Sequence, residues 1–332
     1  MPELEKINPS VEKSVDHTCL DPVREHLAER IIGQQQLIDS LLVCLLCDGH
    51  LLIEGLPGLA KTTAIKTLAE AIEGEYHRIQ FTPDLLPSDL IGTDIYRHEK
   101  GEFEFRAGPL FHNIILADEV NRAPAKVQSA LLEAMAEHQV TVGQKTYNLP
   151  RLFMVLATQN PIEQEGTYHL PEAQLDRFLM HAWVDYPTRE EELAILDLDS
   201  QQQRQPHRPP SRGLTQEELF AARREVANVY LDPKLNGYIV DIVQASRHPG
   251  GYDEDLRRWG RFGASPRATI ALARCARARA WLDGETFVAP HHVQAVAPGI
   301  LRHRLLLTFE AEAEGVTTDD FVRRLLDVVA IP

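Results

Sequence analysis

A glycine-rich segment between Gly55 and Thr63 contains the residue types that bind phosphate groups. It follows the apolar residues 51–53 and precedes a helix-forming stretch, which is the setting of a phosphate-binding loop. Glycines let backbone N–H groups turn toward phosphate oxygens, and the N-terminus of the next helix adds a positive partial charge. Lys61 supplies a cation for the terminal phosphates, and the hydroxyl of Thr62 suits Mg²⁺. We therefore expect a nucleoside triphosphate to contact Gly55, Pro57, Gly58, Leu59, Ala60, Lys61, Thr62 and Thr63.

One residue of this segment departs from the general G-x-x-x-x-G-K-[ST] pattern. Ala60 stands where the second glycine is expected, so the backbone there has to avoid positive φ angles. By itself, such a near match is also compatible with a Gly-Pro turn before an ordinary helix. Residues elsewhere in the chain have to decide between the two interpretations.

Polar side chains also follow two further apolar runs. Asp118 and Glu119 come directly after the apolar residues 114–117, where open α/β sheets bind their ligands. We expect Asp118 to hold Mg²⁺ or its waters, and Glu119 to act as the general base for the attacking water. The alternative is an Asp-Glu pair that caps the next helix. Asn160 ends the next run, and its amide is predicted to contact both the γ-phosphate and that water.

Arg267 is a fourth candidate, because Ser265, Pro266 and Arg267 have the order of an N-cap and the first two positions of a helix. A cation in the first helical turn opposes the helix dipole by a few tenths to about 1 kcal/mol. A phosphate nearby would reverse that cost, which indicates a phosphate-contacting role for Arg267.

Composition limits the class of protein. The 332 residues are 44% hydrophobic and 25% charged, which is enough for a sizeable core and two domains. No run of eighteen apolar residues occurs and the N-terminus does not have the order of a signal peptide, so we expect a cytoplasmic protein without membrane insertion. The net charge of −15 disfavours unspecific nucleic-acid binding.

Two pairs of potential metal ligands are better explained by packing. Four cysteines do not indicate a disulfide scaffold. Cys44 and Cys47 form a C-x-x-C, but the residues around them are apolar, and we expect them to pack inside a buried helix. His291 and His292 are adjacent, so they are expected to diverge at the start of a helix without carboxylate partners. No metal site beyond the nucleotide Mg²⁺ is predicted.

The elements that must position these residues alternate between short β runs and helical patterns, which predicts a parallel α/β sheet flanked by helices. Hairpins are predicted near 94–106 and 140–149. A polar, proline-rich break at 201–210 separates a domain at 1–200 from a smaller all-α domain at 211–332. The predicted strands are 51–53, 76–81, 114–117 and 152–158, and the predicted C-terminal helices are 216–230, 234–247, 267–282, 291–297 and 319–329, the last with Thr318 as N-cap.

Together these residues resemble the AAA+ ATPases, and more closely their MoxR branch, over almost the whole chain. Ala60 is shared with the branch, so it does not weaken the phosphate-loop interpretation. The resemblance rests on seven segments of this sequence, which are 31–34, 55–62, 81–89, 102–106, 117–124, 157–167 and 170–178.

The resemblance implies an α/β AAA+ domain with a smaller all-α lid, and a ring, usually hexameric, with nucleotide between subunits. Arg177 matches the arginine finger that reaches the neighbour's γ-phosphate, although a salt bridge with Asp176 or Glu172 is the structural alternative. The two hairpins match insertions that usually point toward the pore or substrate. The other matches are the phosphate lysine Lys61, the Walker B pair Asp118 and Glu119, sensor 1 Asn160, sensor 2 Arg267, and the adenine-side residues Ile32, Gly33 and Gln34.

The resemblance favours an ATP-hydrolysing, chaperone-like protein that remodels other proteins, often with a von Willebrand A domain partner. The ATPase subunit of a magnesium chelatase has the same architecture and remains an alternative. A nucleic-acid motor like the MCM helicases shares the hairpins and is favoured by C-terminal arginines, but the net charge of −15 opposes it. A non-hydrolysing switch is disfavoured by Glu119.

Overall fold

A five-stranded parallel sheet positions the predicted site residues. The structure, a computed structural model, describes residues 17–56, 58–59, 61–99, 101–161, 167–204 and 213–332. The strands of the described residues are β1 (Leu51–Gly55), β2 (Tyr76–Gln80), β3 (Gly92–Arg97), β4 (Glu102–Ala107), β5 (Ile114–Asp118), β6 (Gln139–Val142), β7 (Lys145–Asn148), β8 (Met154–Gln159), β9 (Met180–Val184), β10 (Gly260–Phe262) and β11 (Leu306–Leu307). The sheet has the order β2-β5-β8-β1-β9.

Helices cover the sheet and build the C-terminal part of the chain. Within the described residues no helix is long and apolar enough to cross a membrane. The helices are α1 (Asp21–Arg30), α2 (Gln35–Leu46), α3 (Lys61–Glu70), α4 (Pro87–Ile91), α5 (Ala125–Glu137), α6 (Glu172–Leu175), α7 (Arg189–Arg204), α8 (Gln216–Asn228), α9 (Pro233–Arg247), α10 (Glu254–Trp259), α11 (Pro266–Leu282), α12 (Pro290–Leu301), α13 (Phe309–Ala313) and α14 (Thr318–Val328).

The predicted parallel sheet is confirmed, and β9 is an additional strand at its edge. β9 pairs with β1 along its whole length, from Leu51 opposite Met180 to Gly55 opposite Val184. The sequence did not indicate this strand because His181 and Trp183 interrupt its apolar pattern. Both lie on one face, since side chains alternate along a strand. The strand therefore looks polar on one side and apolar on the other.

Alternate residues of the central strands feed two separate hydrophobic cores. Leu51 and Ile53 belong to a core that also contains Leu272 and Ile300 of the C-terminal helices. Leu52, one residue away, belongs to a second core that includes α5. The period of two residues explains this division. Because the first core is continuous with the C-terminal helices, packing fixes these helices against the sheet.

Both predicted hairpins are present. β3 pairs antiparallel with β4, and β6 pairs antiparallel with β7. The rings of Phe105 and Tyr147 stack with centroids 4.0 Å apart and planes 18° apart, so the two hairpins support each other. Phe103 at the free end of the first hairpin is 70% exposed.

The C-terminal part is mainly helical, as expected, but the short helices α10 and α13 were not predicted, and the helix predicted at 291–297 extends over Pro290–Leu301. A short antiparallel ribbon of β10 and β11 was not indicated by the sequence. Thr317, not Thr318, is the N-cap of α14, because its side chain accepts the N–H of Asp320. The predicted break at 201–210 is partly helical, since α7 continues to Arg204, and residues 205–212 lie outside the described part.

The packing role predicted for Cys44 and Cys47 is confirmed. Both lie at the end of α2 and are buried, and the Cys47 thiol donates to the carbonyl of Arg274 at 3.5 Å. Burial raises the pKa of the Cys44 thiol well above its usual value. A neutral buried thiol is a packing group, not a nucleophile.

Candidate nucleotide-binding site

The phosphate loop leaves β1 at the edge of the sheet where the parallel strands end, here called the carboxyl edge. Gly55 cannot carry a side chain, because the carbonyl oxygen of Val184 lies 2.5 Å from the position of a Cβ. Gly58 has a φ of 85°, which only glycine adopts readily. Leu59 is partly buried against the core. Pro57 and Ala60 lie outside the described residues.

Lys61 begins α3 and turns back toward the sheet. Its Nζ donates to the carbonyl oxygens of Gly55 at 2.5 Å and Gln159 at 3.2 Å, at the ends of β1 and β8. Thr62 is half-buried and Thr63 is exposed in the first turn of the same helix. A cation, hydroxyls and a helix N-terminus therefore meet at one place, an arrangement that can bind phosphate.

Asp118 ends the buried strand β5 and accepts hydrogen bonds from two neighbouring strands. Thr158 Oγ1 donates to its Oδ1 at 2.6 Å. Arg78 donates to its Oδ2 from Nη2 at 2.6 Å and from Nε at 3.1 Å. The carboxylate is 9% exposed and held by a charge-assisted pair.

Glu119 follows in the left-handed region, with φ 57° and ψ 51°. This conformation costs a non-glycine residue on the order of 1 kcal/mol. Its backbone N–H donates to Thr158 Oγ1 at 2.9 Å. Its Oε2 accepts from Gln80 Nε2 at 2.8 Å and lies 3.2 Å from Arg122 Nε. The sheet thus holds the carboxylate at the carboxyl edge, where it can act on a water.

Asn160 directly follows β8, which lies between β5, the strand that ends at Asp118, and β1, the strand that precedes Lys61. It is 7% exposed. Glu54 of β1 pairs with Gln159 and Ala117 of β5 pairs with Ala157, so the ends of the three strands are adjacent. The structure therefore brings Lys61, Asp118, Glu119 and Asn160 to one edge of one sheet.

The residues predicted to lie on the adenine side, Ile32, Gly33 and Gln34, are beside the end of β9. Gly33 has a φ of 77°, and the carboxyl group of Glu191 fills the space that a Cβ on Gly33 would need. Gln34 Nε2 donates to the carbonyl of Asp185 at 3.0 Å. Ile32 is half-buried next to them. These contacts tie the segment to the start of α7.

Arg177 and Arg267 lie together at the opposite edge of the sheet, here called the amino edge. Leu179 N–H donates to the carbonyl of His50 at 2.9 Å, just before β9 and β1 begin. Arg267 Nη1 lies 3.5 Å from Asp176 Oδ2, next to Arg177. Both arginines line one cleft of about 200 Å³. The length of β1, roughly 13 Å at 3.3 Å per residue, separates this cleft from the phosphate loop.

In the described part of the chain, Arg177 and Asp176 each bind other groups instead of forming the salt bridge that was the structural alternative for Arg177. Asp176 accepts from Arg304 Nε at 2.7 Å and from Ser265 Oγ at 2.8 Å. Arg177 Nη1 donates to the carbonyl of Leu132 at 2.6 Å. The Ser265 side chain also accepts the N–H of Arg267, which confirms Ser265 as the N-cap of α11.

Three site residues were not identified from the sequence. Thr158 joins Asp118 to the backbone of Glu119, and Arg78 and Gln80 hold the two carboxylates from β2. The sequence did contain a signal for Arg78 and Gln80. They are two residues apart on a predicted strand, so their side chains share one face of the sheet. Strand order, which places β2 beside β5, was not available.

His291 and His292 do not diverge as predicted, because their ring centroids are 3.9 Å apart. His292 also has carboxylate neighbours, with its Nε2 3.6 Å from Asp283 and 3.8 Å from Glu285. Its Nδ1 accepts the N–H of Ala289 at 2.9 Å, so the proton of the neutral ring is on Nε2. That nitrogen lies near the two carboxylates but forms no hydrogen bond with the described residues. The predicted position at the start of a helix is confirmed.

The donors at the carboxyl edge suit Mg²⁺. The carboxylate of Asp118 and the hydroxyl of Thr62 are hard oxygen ligands of the kind that this ion prefers beside phosphates. Thr158 orients the Asp118 carboxylate, and Arg78 provides a positive charge on its other oxygen. These residues fit the ion, because Oδ1 of Asp118 has a second lone pair beside the one that accepts from Thr158.

Comparisons with known proteins agree with this geometry. Residues 50–180 match the family described as ATPase family associated with various cellular activities (AAA), and residues 259–325 match the AAA lid domain. Chaperone MoxR1 of Mycobacterium tuberculosis is 46% identical over 305 residues, covering 91% of this chain and 79% of that protein. Protein MoxR of Paracoccus denitrificans is 34% identical, covering 84% and 86%. A crystal structure of a candidate ATPase from Cytophaga hutchinsonii has a TM-score of 0.87 at 45% identity, covering 95% and 96%.

Proposed function

The chain belongs to the MoxR family of AAA+ ATPases and is an ATP hydrolase, and from this premise we propose that it hydrolyses ATP between the subunits of a ring to remodel client proteins. The observation that carries the proposal is the position of Arg177 and Arg267. They lie at the amino edge, whereas Lys61, Asp118, Glu119 and Asn160 lie at the carboxyl edge. A head-to-tail contact between copies joins the two edges, and repeated rotation closes such contacts into a ring.

In the proposed mechanism the carboxyl edge binds ATP and prepares the water. Lys61 leaves the carbonyls of Gly55 and Gln159 for the terminal phosphates, and Asn160 orients the attacking water. Glu119 accepts a proton from that water. Thr62 and Asp118 would hold Mg²⁺, which would supply positive charge at the phosphate oxygens.

The neighbouring subunit completes the site from its amino edge. Arg177 neutralises the charge that develops on the γ-phosphate, and Arg267 contacts the same phosphates from the N-terminus of α11. In other NTPases an arginine finger contributes about 10³ to 10⁵ in rate. Arg267 therefore acts on the neighbour's nucleotide, not on that of its own subunit.

The two hairpins, β3–β4 and β6–β7, are the proposed contact with client proteins. Tyr96 and Phe103 are exposed on the first hairpin, and their ring centroids are 5.2 Å apart. Exposed aromatic side chains suit transient contacts with unfolded or partly folded chains. A client protein, with or without a von Willebrand A domain partner, is the proposed substrate of a hexameric, cytoplasmic ring.

The test is steady-state ATPase activity as a function of protein concentration, measured beside light scattering. We expect the activity per subunit to rise as copies assemble, because each site needs Arg177 from a neighbour. A constant rate in a protein that remains monomeric would overturn the ring and leave only the nucleotide site.

A further inference from the structure

Helix α7 carries an apolar face that none of the described residues of its own subunit covers. None of its described side chains is buried, although the helix spans Arg189–Arg204. Leu193 is 49% exposed and Leu196 is 65% exposed. Residues three apart lie on the same side of a helix. Glu191 and Leu198, which are half-buried, lie on the other side, so the two leucines point away from the subunit.

Acidic residues surround this pair. Glu190, Glu192 and Asp197 are exposed on the same helix and flank the leucines. A helix with exposed leucines in an acidic rim is typical of an interaction surface, because a monomer gains nothing from leaving them in water. Its partner should be apolar at the centre and basic at the edges.

A surface of that kind lies on α11 at the amino edge. Arg267, Ile270 and Arg274 are exposed and follow one stripe, at spacings of three and four residues. Ile270 is 59% exposed. All three residues line the cleft that contains Arg177. The stripe thus places an apolar side chain between two arginines, which complements two leucines between acids.

The two surfaces lie at the two edges that the proposed ring brings together. Helix α7 begins beside the nucleotide segment, where Glu191 packs on Gly33. Arg267 is the second residue of helix α11, and the proposed function directs it to the neighbour's phosphates. A neighbour that places Arg267 at the nucleotide therefore also brings Ile270 close to α7.

We propose that the α7 face of one copy, Leu193 and Leu196 with their acidic rim, packs on the Arg267–Ile270–Arg274 stripe of the next copy. The partner is a second copy of this chain. This inference rests on the proposed ring and adds the contact that aligns it. Helix α7 then positions the neighbour's Arg267, so assembly and completion of the site are one event.

Cysteine cross-linking tests the contact directly. In a Cys19→Ser background, the remaining cysteines 44, 47 and 275 are buried. A variant with Leu196→Cys and Ile270→Cys should form covalent species larger than a dimer on oxidation, because each copy offers both halves. The matched control replaces Ile270→Cys with Val240→Cys, which is also exposed but lies on α9. Cross-linking no greater than in this control would overturn the proposed contact.

A second experiment separates this inference from the proposed function. Leu196→Glu should raise the concentration needed for half-assembly by roughly tenfold or more, since it places a charge in an apolar contact. If the wild-type chain assembles and Leu196→Glu assembles equally well, the α7 contact is wrong and the ring stands. If the wild-type chain stays monomeric at every concentration with ATP, the ring itself is wrong.

Discussion

The carboxyl edge and the amino edge of the same sheet differ in what they contain. The carboxyl edge holds the phosphate loop, both acidic residues and Asn160, and its side chains are linked to one another through Thr158, Arg78 and Gln80. The amino edge holds Arg177 and Arg267 in a cleft that Arg274 and Arg304 also line, and no acidic catalytic residue of the proposed mechanism lines it. Each subunit therefore carries two different halves of the proposed site.

This difference between the two edges explains why one chain is not sufficient for the proposed reaction. An α/β sheet binds its ligand at the carboxyl edge because all strand ends and helix N-termini converge there. The opposite edge is free to serve a second molecule. Substitutions at the two edges should accordingly have different effects on binding, turnover and complementation.

The largest effect is expected from Lys61→Ala at the carboxyl edge. Removal of the cation should abolish measurable nucleotide binding, because no other described cation of the phosphate loop takes its place. Titration with a fluorescent ATP analogue checks this, and Lys66→Ala on the exposed side of α3 is the control. Retained affinity would mean that phosphates do not bind at this helix.

Arg177→Ala should impair only the contribution of the amino edge to the proposed site. We expect turnover to fall by about 10³ to 10⁵ while nucleotide affinity is kept, since the charge is needed only in the transition state. Single-turnover hydrolysis beside nucleotide titration separates the two. Arg257→Ala, an exposed arginine paired with Glu254 elsewhere, should leave both unchanged.

Glu119→Gln should bind nucleotide and lose about 10² to 10⁴ in turnover, because the amide accepts no proton. Mixing the Glu119→Gln variant with the Arg177→Ala variant tests whether the two edges form one site. An intact carboxyl edge from the Arg177→Ala subunit then meets an intact amino edge from the Glu119→Gln subunit. Activity above that of either variant is expected in the mixture. If no mixing ratio restores any activity, the two edges do not form one site.

A smaller effect is expected from Gln80→Ala. Gln80 donates a hydrogen bond to Glu119 at 2.8 Å, and its loss frees the carboxylate to turn toward the water. A hydrogen bond worth about 1 kcal/mol corresponds to a basal rate about fivefold higher. The rate without client, measured beside Gln144→Ala in the hairpin turn, checks this. A fall in the rate would instead make Gln80 the group that positions Glu119.

The smallest effect on activity, but a clear one on stability, is expected from His50 beneath the amino-edge cleft. Burial lowers its pKa to about 4, below the usual value. The unfolded chain then binds a proton that the folded chain does not, so stability falls as pH drops below about 6.5. Between about pH 7 and pH 5 the loss should be about 2 kcal/mol.

Urea unfolding at the two pH values tests this, with His50→Gln as the variant that cannot titrate. The slope of stability against pH should be flatter in the variant by that amount, whatever its absolute stability. Equal slopes would show that His50 has the same pKa in the folded and the unfolded chain. Both of its ring nitrogens are paired, since Val155 N–H donates to Nδ1 at 3.0 Å and Nε2 pairs with the carbonyl of Met135 at 3.2 Å.

Local patterns predicted much of the fold. The apolar runs before Gly55 and Asp118, the turn at Gly143 and the Ser265-Pro266 helix start are decided by neighbouring residues, and the structure has each of them. β9 was missed because His181 and Trp183 interrupt its apolar pattern. Its pairing with β1 depends on contacts between residues far apart in the chain. Thr158 was missed because its role depends on a hydrogen bond between two strands.

The sequence by itself determined which residues can bind phosphate, accept a proton and supply a positive charge, because these are properties of side chains and their near neighbours. It also determined the family. Only the tertiary structure decided that Arg177 and Arg267 stand at the edge opposite Lys61, and that Arg78 and Gln80 hold the two carboxylates. The reason is that strand order and the docking of α11 are set by contacts between residues far apart in the chain, and a linear pattern does not contain those contacts.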